Sequence, residues 1–290
     1  MKRILNGFKM KRKSLLISSI CLFVCVLLGW SSLGVSENTS FAVHYIDVGQ
    51  GDCALILCDG QAMLIDGGEA SQSSKVYAYL KEHGVDHLNY IVASHAHADH
   101  VGGLSGALNY ATVNVALCPV LEYDTKTFRS FVKYLGQQNV SITIPHAGDT
   151  FKLGSATVQI LAPLREYDDP NDTSIVMKVV YGETSFLFTG DATRIAEADI
   201  LDAEYNLSAN VLKVGHHGSD TSTSYPFLRE IMPKYAIISV GKDNEYGHPT
   251  DNTLSRLWDA DVQVFRTDSD GTIICTSDGK KVSFEVEITR

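Results

Sequence analysis

The stretch ASHAHADHVGG, residues 93–103, places His95, His97, Asp99 and His100 within six positions. A β-strand would direct His100 to the face opposite the other three side chains, because successive residues alternate between faces. A helix would distribute the four side chains over nearly two turns. The spacing therefore predicts a turn at the end of a strand, with four polar side chains gathered on one loop.

The side chains of this loop are of the types that bind divalent cations. An exposed polar loop is the ordinary explanation for one histidine, since polar residues mostly lie at the surface. Four together favour a metal site, because imidazole nitrogen and carboxylate oxygen bind zinc, manganese or iron. The preceding LNYIVASH has the apolar pattern of a buried strand, and the following VGGLSGALNY indicates a glycine turn into a helix. Open α/β sheets place their sites at such strand ends.

The remainder of the chain alternates apolar strand patterns with amphipathic helix patterns. It contains no long linker rich in proline or serine that would divide it. Two sheets with helices outside them are the economical architecture for this alternation, so we predict an α/β fold with one domain over residues 37–290. The main helices are predicted over residues 126–138, 193–205, 224–231 and 251–259.

Five stretches of the sequence together resemble a known family. HAHADH matches the His-x-His-x-Asp-His signature of the metallo-β-lactamase superfamily. Its ComEC-type competence-protein branch is similar over four further stretches, and the similarity runs from Phe41 to the C-terminus. The resemblance implies a metallo-β-lactamase-like four-layer αββα sandwich with two divalent metal ions, Zn or Mn, at one edge. The four stretches are IDVGQGDCALI, MLIDGG, FLFTGDA and LKVGHHGSDTSTS, the last followed by NEYGHPT.

The resemblance also assigns metal ligands. His95 and His97 would bind the first ion, Asp99 and His100 the second, and Asp191 would bridge the two. From the residues alone, Asp191 is equally well explained as a helix cap. Asp66 in LIDGG resembles the aspartate that orients the histidine loop, although it also fits an ordinary turn before glycines.

The sequence departs from the family pattern at the third motif. Most relatives carry another histidine there, whereas this chain has DDPNDTSIV, with Asn171, Asp172 and Ser174 at the corresponding place. We expect His216 and His248 to compensate as metal ligands, and His217 to contact the substrate or move a proton. The reverse assignment within the His216–His217 pair stays open.

The N-terminus differs in kind from the rest of the chain. The first 13 residues contain six basic residues and no acidic one, and residues 15–35 are uncharged and apolar. Residues 1–36 therefore resemble a signal peptide or membrane anchor. We expect the remainder to be secreted or to lie on the extracellular face of the cytoplasmic membrane, attached through the N-terminal segment if that is not cleaved.

The net charge of the chain bears on which ligands it can bind, and the spacing of its cysteines bears on whether it contains a structural zinc site. Without the six basic residues, 18 basic residues face 34 acidic ones, a formal net charge of −16. This balance argues against an extended DNA-binding face, because such faces neutralise phosphates with Lys and Arg. No Cys-x-x-Cys spacing supports a zinc ribbon, so the four cysteines after the leader are expected to be buried thiols. No protein partner is predicted.

The expected reaction is hydrolysis by water that a metal pair ionises. No Gly-x-Ser-x-Gly motif supports a serine hydrolase. The resemblance favours a phosphodiesterase acting on DNA or a smaller phosphodiester, with Asp99, His217 and Asp66 assisting catalysis. The alternatives are a β-lactam, lactone or thioester hydrolase, and a non-catalytic surface module that binds ligands.

Overall fold

The computed structural model describes residues 41–287. The predicted export segment, residues 1–36, lies outside them. Within residues 41–287, no helix is both long and apolar enough to cross a membrane. Fifteen strands are described: β1 (Phe41–Tyr45), β2 (Ala54–Cys58), β3 (Gln61–Ile65), β4 (His87–Val92), β5 (Thr112–Leu117), β6 (Ile142–Thr143), β7 (Thr150–Leu153), β8 (Ala156–Ala162), β9 (Val176–Tyr181), β10 (Thr184–Phe188), β11 (Val211–Lys213), β12 (Tyr235–Ile238), β13 (Gln263–Arg266), β14 (Thr272–Ser277) and β15 (Val282–Glu287).

The strands form two mixed sheets. The first has the order β15-β14-β1-β2-β3-β4-β5-β6, and the second has the order β13-β12-β11-β10-β9-β8-β7. Strands β3 to β6 are parallel to one another, and so are β10 to β13. The carboxyl ends of neighbouring parallel strands meet at one edge of each sheet, and this edge positions the site.

Eight α-helices are described in residues 41–287, and side-chain caps begin four of them. Thr125, Thr193, Ser224 and Thr250 each accept a hydrogen bond from a backbone N–H in the first turn of the following helix. The helices are α1 (Ser73–Glu82), α2 (Ala98–Val101), α3 (Leu104–Tyr110), α4 (Lys126–Gln137), α5 (Arg194–Asp202), α6 (Tyr225–Ile231), α7 (Asp251–Asp259) and α8 (Thr267–Asp270).

Three buried clusters hold the layers together. The first joins one face of the first sheet to α1, α3 and α4, through residues such as Leu80, Leu104 and Phe131. The second lies between the sheets, and the third joins the second sheet to α5, α6 and α7. Helices therefore cover the outer face of each sheet, which confirms the predicted αββα sandwich. The four cysteines of this region are free and buried, as predicted.

Candidate metal centre

The histidine loop follows β4 and consists of a non-helical segment and a one-turn helix. His95 and His97 lie on the bent segment after the strand, as predicted, whereas Asp99 and His100 lie in the one-turn helix α2. Close backbone packing constrains the loop. A Cβ at Gly103 would lie 1.9 Å from the carbonyl oxygen of Gly67, so only glycine fits there.

Four side chains from both sheets form what we call the inner half of the site: Asp99, His100, Asp191 and His217. One potential ligand atom of each lies within 4.8 Å of the others. Asp191 Oδ2 lies 3.3 Å from His100 Nε2 and 3.5 Å from His217 Nε2. His217 Nε2 also lies 3.3 Å from Asp99 Oδ2. Residues separated by more than 100 positions thus meet at one point.

The unsatisfied atoms of the inner half fit a divalent cation. His100 Nε2, His217 Nε2 and Asp191 Oδ1 are buried and have no hydrogen-bond partner. A buried polar group left unsatisfied costs about 1–3 kcal/mol, so three such atoms in one place indicate a missing partner. Imidazole nitrogen and carboxylate oxygen are ligands of zinc and manganese. The donor set therefore suits the metal that the sequence predicts.

A second group, the outer half, consists of His95, His97 and His216, which share Asp191 with the inner half. His95 Nε2 lies 3.0 Å from His97 Nδ1. Two lone pairs at that distance repel unless a proton or a cation lies between them. Asp191 Oδ2 lies 4.0 Å from His95 Nε2 and 3.6 Å from His216 Nε2. Asp191 thus has the position expected of a carboxylate that bridges two cations.

The residues at the third motif support the loop that carries Asp191. Ser174 Oγ accepts a hydrogen bond from the backbone N–H of Asp191 at 3.0 Å. Asp172 Oδ1 accepts hydrogen bonds from the backbone N–H and hydroxyl of Thr193, at 2.9 and 2.6 Å. These two side chains replace the expected histidine with hydrogen bonds that fix the start of α5.

The three histidines predicted after β11 and β12, namely His216, His217 and His248, differ in how deeply they are buried. His217 is buried, the side chain of His216 is 24% exposed, and both have left-handed backbone angles, with φ of 54° and 49°. The glycines around the pair predicted such a bend. The ring of His248 lies 5.7 Å from that of His216, and its Nδ1 is buried without a hydrogen-bond partner. The geometry favours His217 as an inner ligand, while ligation by His216 and His248 stays a prediction.

Asp66 holds the histidine loop from below. Its Oδ1 accepts a hydrogen bond from the backbone N–H of Ser94 at 2.7 Å, and its Oδ2 lies 2.9 Å from His100 Nδ1. A carboxylate at Nδ1 fixes the tautomer in which Nε2 is free to bind a metal. This contact agrees with the orienting role that the sequence assigned to Asp66.

Opposite charges inside the site shift its pKa values strongly. Burial alone would lower the pKa of His100, but Asp191, Asp66 and Asp99 outweigh it and raise that pKa well above the ordinary value. Burial would also lower the pKa of His217, but the negative charges of Asp191 and Asp52 outweigh this effect and raise that pKa to about 10. Burial would raise the pKa of Asp191, yet His100 and His217 hold it well below the usual range. The site is therefore a dense set of coupled charges.

Sequence reasoning missed two buried residues beside His217. Asp52 Oδ2 lies 2.8 Å from Lys213 Nζ, and Asp52 Oδ1 lies 3.1 Å from His217 Nδ1. Both Asp52 and Lys213 are less than a tenth exposed. The signal was present in the quoted stretches, because Lys213 ends an apolar strand and Asp52 follows a glycine turn, positions where a charge needs an explanation.

Comparison with known proteins agrees with this geometry. The family model described as "Metallo-beta-lactamase superfamily" matches residues 46–242, more than half of the chain. The chain belongs to the metallo-β-lactamase superfamily. That membership supports a metal-dependent hydrolase.

Curated relatives of this superfamily member include "Competence protein ComA" of Neisseria gonorrhoeae, which is 30% identical over 82% of this chain and 32% of its own length. "ComE operon protein 3" of Bacillus subtilis is 31% identical over 80% of this chain and 32% of its own length. "Recombination protein 2" of Haemophilus influenzae is 32% identical over 82% of this chain and 29% of its own length. The chain thus spans about a third of the length of these relatives.

Solved structures share the fold at low sequence identity. Igni18, described as a novel metallo hydrolase from Ignicoccus hospitalis, has a TM-score of 0.54 at 14% identity and covers 80% of this chain and 98% of its own. YhfI, a metallo-beta-lactamase fold protein from Bacillus subtilis, has a TM-score of 0.50 at 13% identity and covers 78% and 95%. These likenesses concern the fold alone.

Proposed function

We propose that the protein is a metal-dependent phosphodiesterase that uses two divalent cations, Zn or Mn. The observation that carries the proposal is the position of Asp191 Oδ2, which lies 3.3–4.0 Å from the Nε2 atoms of four histidines. One buried carboxylate oxygen between two groups of imidazoles suits a pair of cations. Cations bound there supply Lewis acidity and lower the pKa of water, which is what hydrolysis at neutral pH requires.

The protein side chains have separate roles in this proposal. Asp99, His100 and His217 hold the inner cation, and His95 and His97 hold the outer one, with Asp191 shared. Asp66 fixes the tautomer of His100 through the 2.9 Å contact to Nδ1. Ser174 Oγ accepts a hydrogen bond from the backbone N–H of Asp191 and so holds the loop that carries the shared carboxylate.

The outer half supplies the face that meets substrate. His216 is the ring of the outer half that combines partial exposure with a short distance to Asp191. Its Nδ1 lies 3.2 Å from Thr221 Oγ1, which leaves Nε2 directed at the site. We infer that His216 completes the outer half in place of the histidine that the third motif lacks.

The substrate class rests on the competence relatives and on charge. The names "Competence protein ComA" and "Recombination protein 2" refer to processes that involve DNA. A formal net charge of −16 for residues 37–290 disfavours binding along a polyanion. We therefore propose cleavage of a short phosphodiester or of a nucleic acid at a single point.

The test is hydrolysis by the purified full chain loaded with Zn²⁺ or Mn²⁺. Bis(p-nitrophenyl) phosphate should be cleaved, and an oligonucleotide and a small lipid-head-group diester should be compared with it. His97→Ala should abolish the turnover, while His87→Ala, which alters an exposed histidine at the start of β4, should retain it. Turnover of nitrocefin without any phosphodiester cleavage would instead show a hydrolase that acts at carbon, and ligand binding without turnover by any cation would show a binding module.

The location of the enzyme is part of the proposal. The six basic residues before an uncharged segment support export, with the domain from residue 37 onward secreted or on the extracellular face of the membrane. Protease added to intact cells should degrade the domain if it is anchored outside. Protection of the domain in intact cells, together with its absence from the medium, would contradict export.

A further inference from the structure

The buried pair Asp52 and Lys213 lies directly behind His217, on the side away from the site. Lys213 Nζ forms an ion pair with Asp52 Oδ2 at 2.8 Å and donates a hydrogen bond to the carbonyl oxygen of Val214 at 2.8 Å. Asp52 is 6% exposed and Lys213 is 3% exposed. A buried ion pair is weak support for stability, because desolvation offsets its attraction. Its place against His217 suggests another reason for its presence.

The surroundings of His217 determine which of its nitrogens carries a proton. Nδ1 lies 3.0 Å from the carbonyl oxygen of Ser239 and 3.1 Å from Asp52 Oδ1. A carbonyl and an ionised carboxylate only accept hydrogen bonds, so Nδ1 must be the donor. Nε2 is then the nitrogen that a cation can reach once it displaces the proton there, and it faces Asp99 Oδ2 and Asp191 Oδ2 at 3.3 and 3.5 Å.

Asp52 also connects this side of the site to the histidine loop. Its backbone N–H donates to the carbonyl oxygen of Asp99 at 3.3 Å, and its carbonyl oxygen accepts from the N–H of Gly68 at 2.8 Å. Gly51 makes this approach feasible, since a Cβ there would lie 2.4 Å from the carbonyl oxygen of Asp99. One turn therefore contacts ligands on both sheets.

We propose that Asp52 and Lys213 are positioning residues for the inner cation. Lys213 holds the Asp52 carboxylate 3.1 Å from Nδ1 of His217, where its charge and the Ser239 carbonyl together keep the proton on Nδ1 and so leave Nε2 for the cation. Asp52 thereby does for His217, on the second sheet, what Asp66 does for His100 on the first. This inference rests on the metal site of the proposed function, and it assigns a role to two residues that touch neither cation nor substrate.

The test compares Mn²⁺ affinity by electron paramagnetic resonance in the full chain and its variants. Asp52→Asn and the double variant Asp52→Asn with Lys213→Met should each weaken binding of the tighter cation by roughly 10- to 100-fold, as loss of partners behind metal-binding histidines generally does. The double variant matters because it leaves no unpaired buried charge. The matched control is Lys178→Met, since Lys178 is also buried but its Nζ donates to Asn206 O; its Mn²⁺ affinity should equal that of the unaltered chain.

A second measurement does not depend on whether the variants fold. In the unaltered chain loaded with Zn²⁺, ¹⁵N-resolved NMR of His217 should show a proton on Nδ1 and none on Nε2. A proton on Nε2, or a folded double variant that binds Mn²⁺ like the unaltered chain, would overturn the positioning role while leaving the proposed function intact. Failure of the unaltered chain to bind any divalent cation would overturn both.

Discussion

The inner and outer halves of the site are built differently. The inner half is buried and supported from behind, since Asp66 holds His100 and Asp52 lies against Nδ1 of His217. In the outer half, His95 is buried, whereas His97 and His216 reach partial exposure and have less support. From this difference we predict that the inner half binds its cation more tightly than the outer half does.

The contrast also explains the departure at the third motif. A weaker outer half tolerates the loss of one imidazole if His216 takes its place. Ser174 and Asp172 then use the vacated positions to fix the loop that holds Asp191.

The largest effect is expected from Asp191→Asn, which removes the charge that both halves share. Activity should fall by roughly 10³-fold or more, because several kcal/mol of charge stabilisation are lost and each tenfold in rate corresponds to about 1.36 kcal/mol. Metal analysis should show fewer than two cations per chain. Two retained cations with near-normal turnover would mean that Asp191 does not bridge the halves.

His97→Ala should separate the two halves. The inner cation keeps all four of its side chains, so the variant should hold one cation per chain where the unaltered protein holds two. Metal analysis after gel filtration measures the ratio, and His87→Ala, an exposed histidine on β4, is the control. Loss of both cations would show that the halves are one cooperative site.

In the metal-free protein, the free energy of unfolding should fall as the pH rises from about 6.5 toward 10. His100 and His217 have pKa values raised above the ordinary value of 6.5, that of His217 to about 10. Their stabilisation is complete below about pH 6.5 and is lost as pH rises toward 10, because the unfolded chain then binds fewer protons than the folded one.

Bound cation should change this trend, since it displaces those protons. The increase in Tm on adding Zn²⁺ should therefore grow between pH 7 and pH 9, measured by thermal melting with and without chelator. An increase that is the same across that range would argue against binding through His100 and His217.

The smallest effect on metal binding is expected from Asp172→Ala. The variant loses two hydrogen bonds to Thr193, so the free energy of unfolding should fall by about 1–3 kcal/mol, with the cation count unchanged. Urea unfolding and metal analysis measure the two quantities. A reduced cation count at full folding would make Asp172 a ligand after all.

The histidine loop could be predicted from the sequence because its candidate ligands lie close together in the chain. His95 to His100 span one loop, and the apolar pattern before them fixed the strand end to which they belong. The helical turn under Asp99 and His100 was not expected, since a four-residue helix leaves no periodic pattern.

The positions of the site residues outside the histidine loop depend on tertiary structure. Asp191 follows β10, whereas His216 and His217 both follow β11. The sequence predicted that these strand ends share one edge, but not which of the two histidines is buried, because that depends on tertiary packing. The same holds for Asp52 and Lys213, whose partnership joins the two sheets across more than 150 positions. Local patterns predicted the strands that carry these residues, but not which side chains meet.

The most direct test of the account is anomalous diffraction at the manganese edge from crystals of the full chain grown with Mn²⁺. We expect two peaks on either side of Asp191, one among Asp99, His100 and His217 and the other beside His95, His97 and His216. A map with no peak at these side chains, from protein shown to be folded, would contradict the central claim that both sheet edges together form a binuclear metal site.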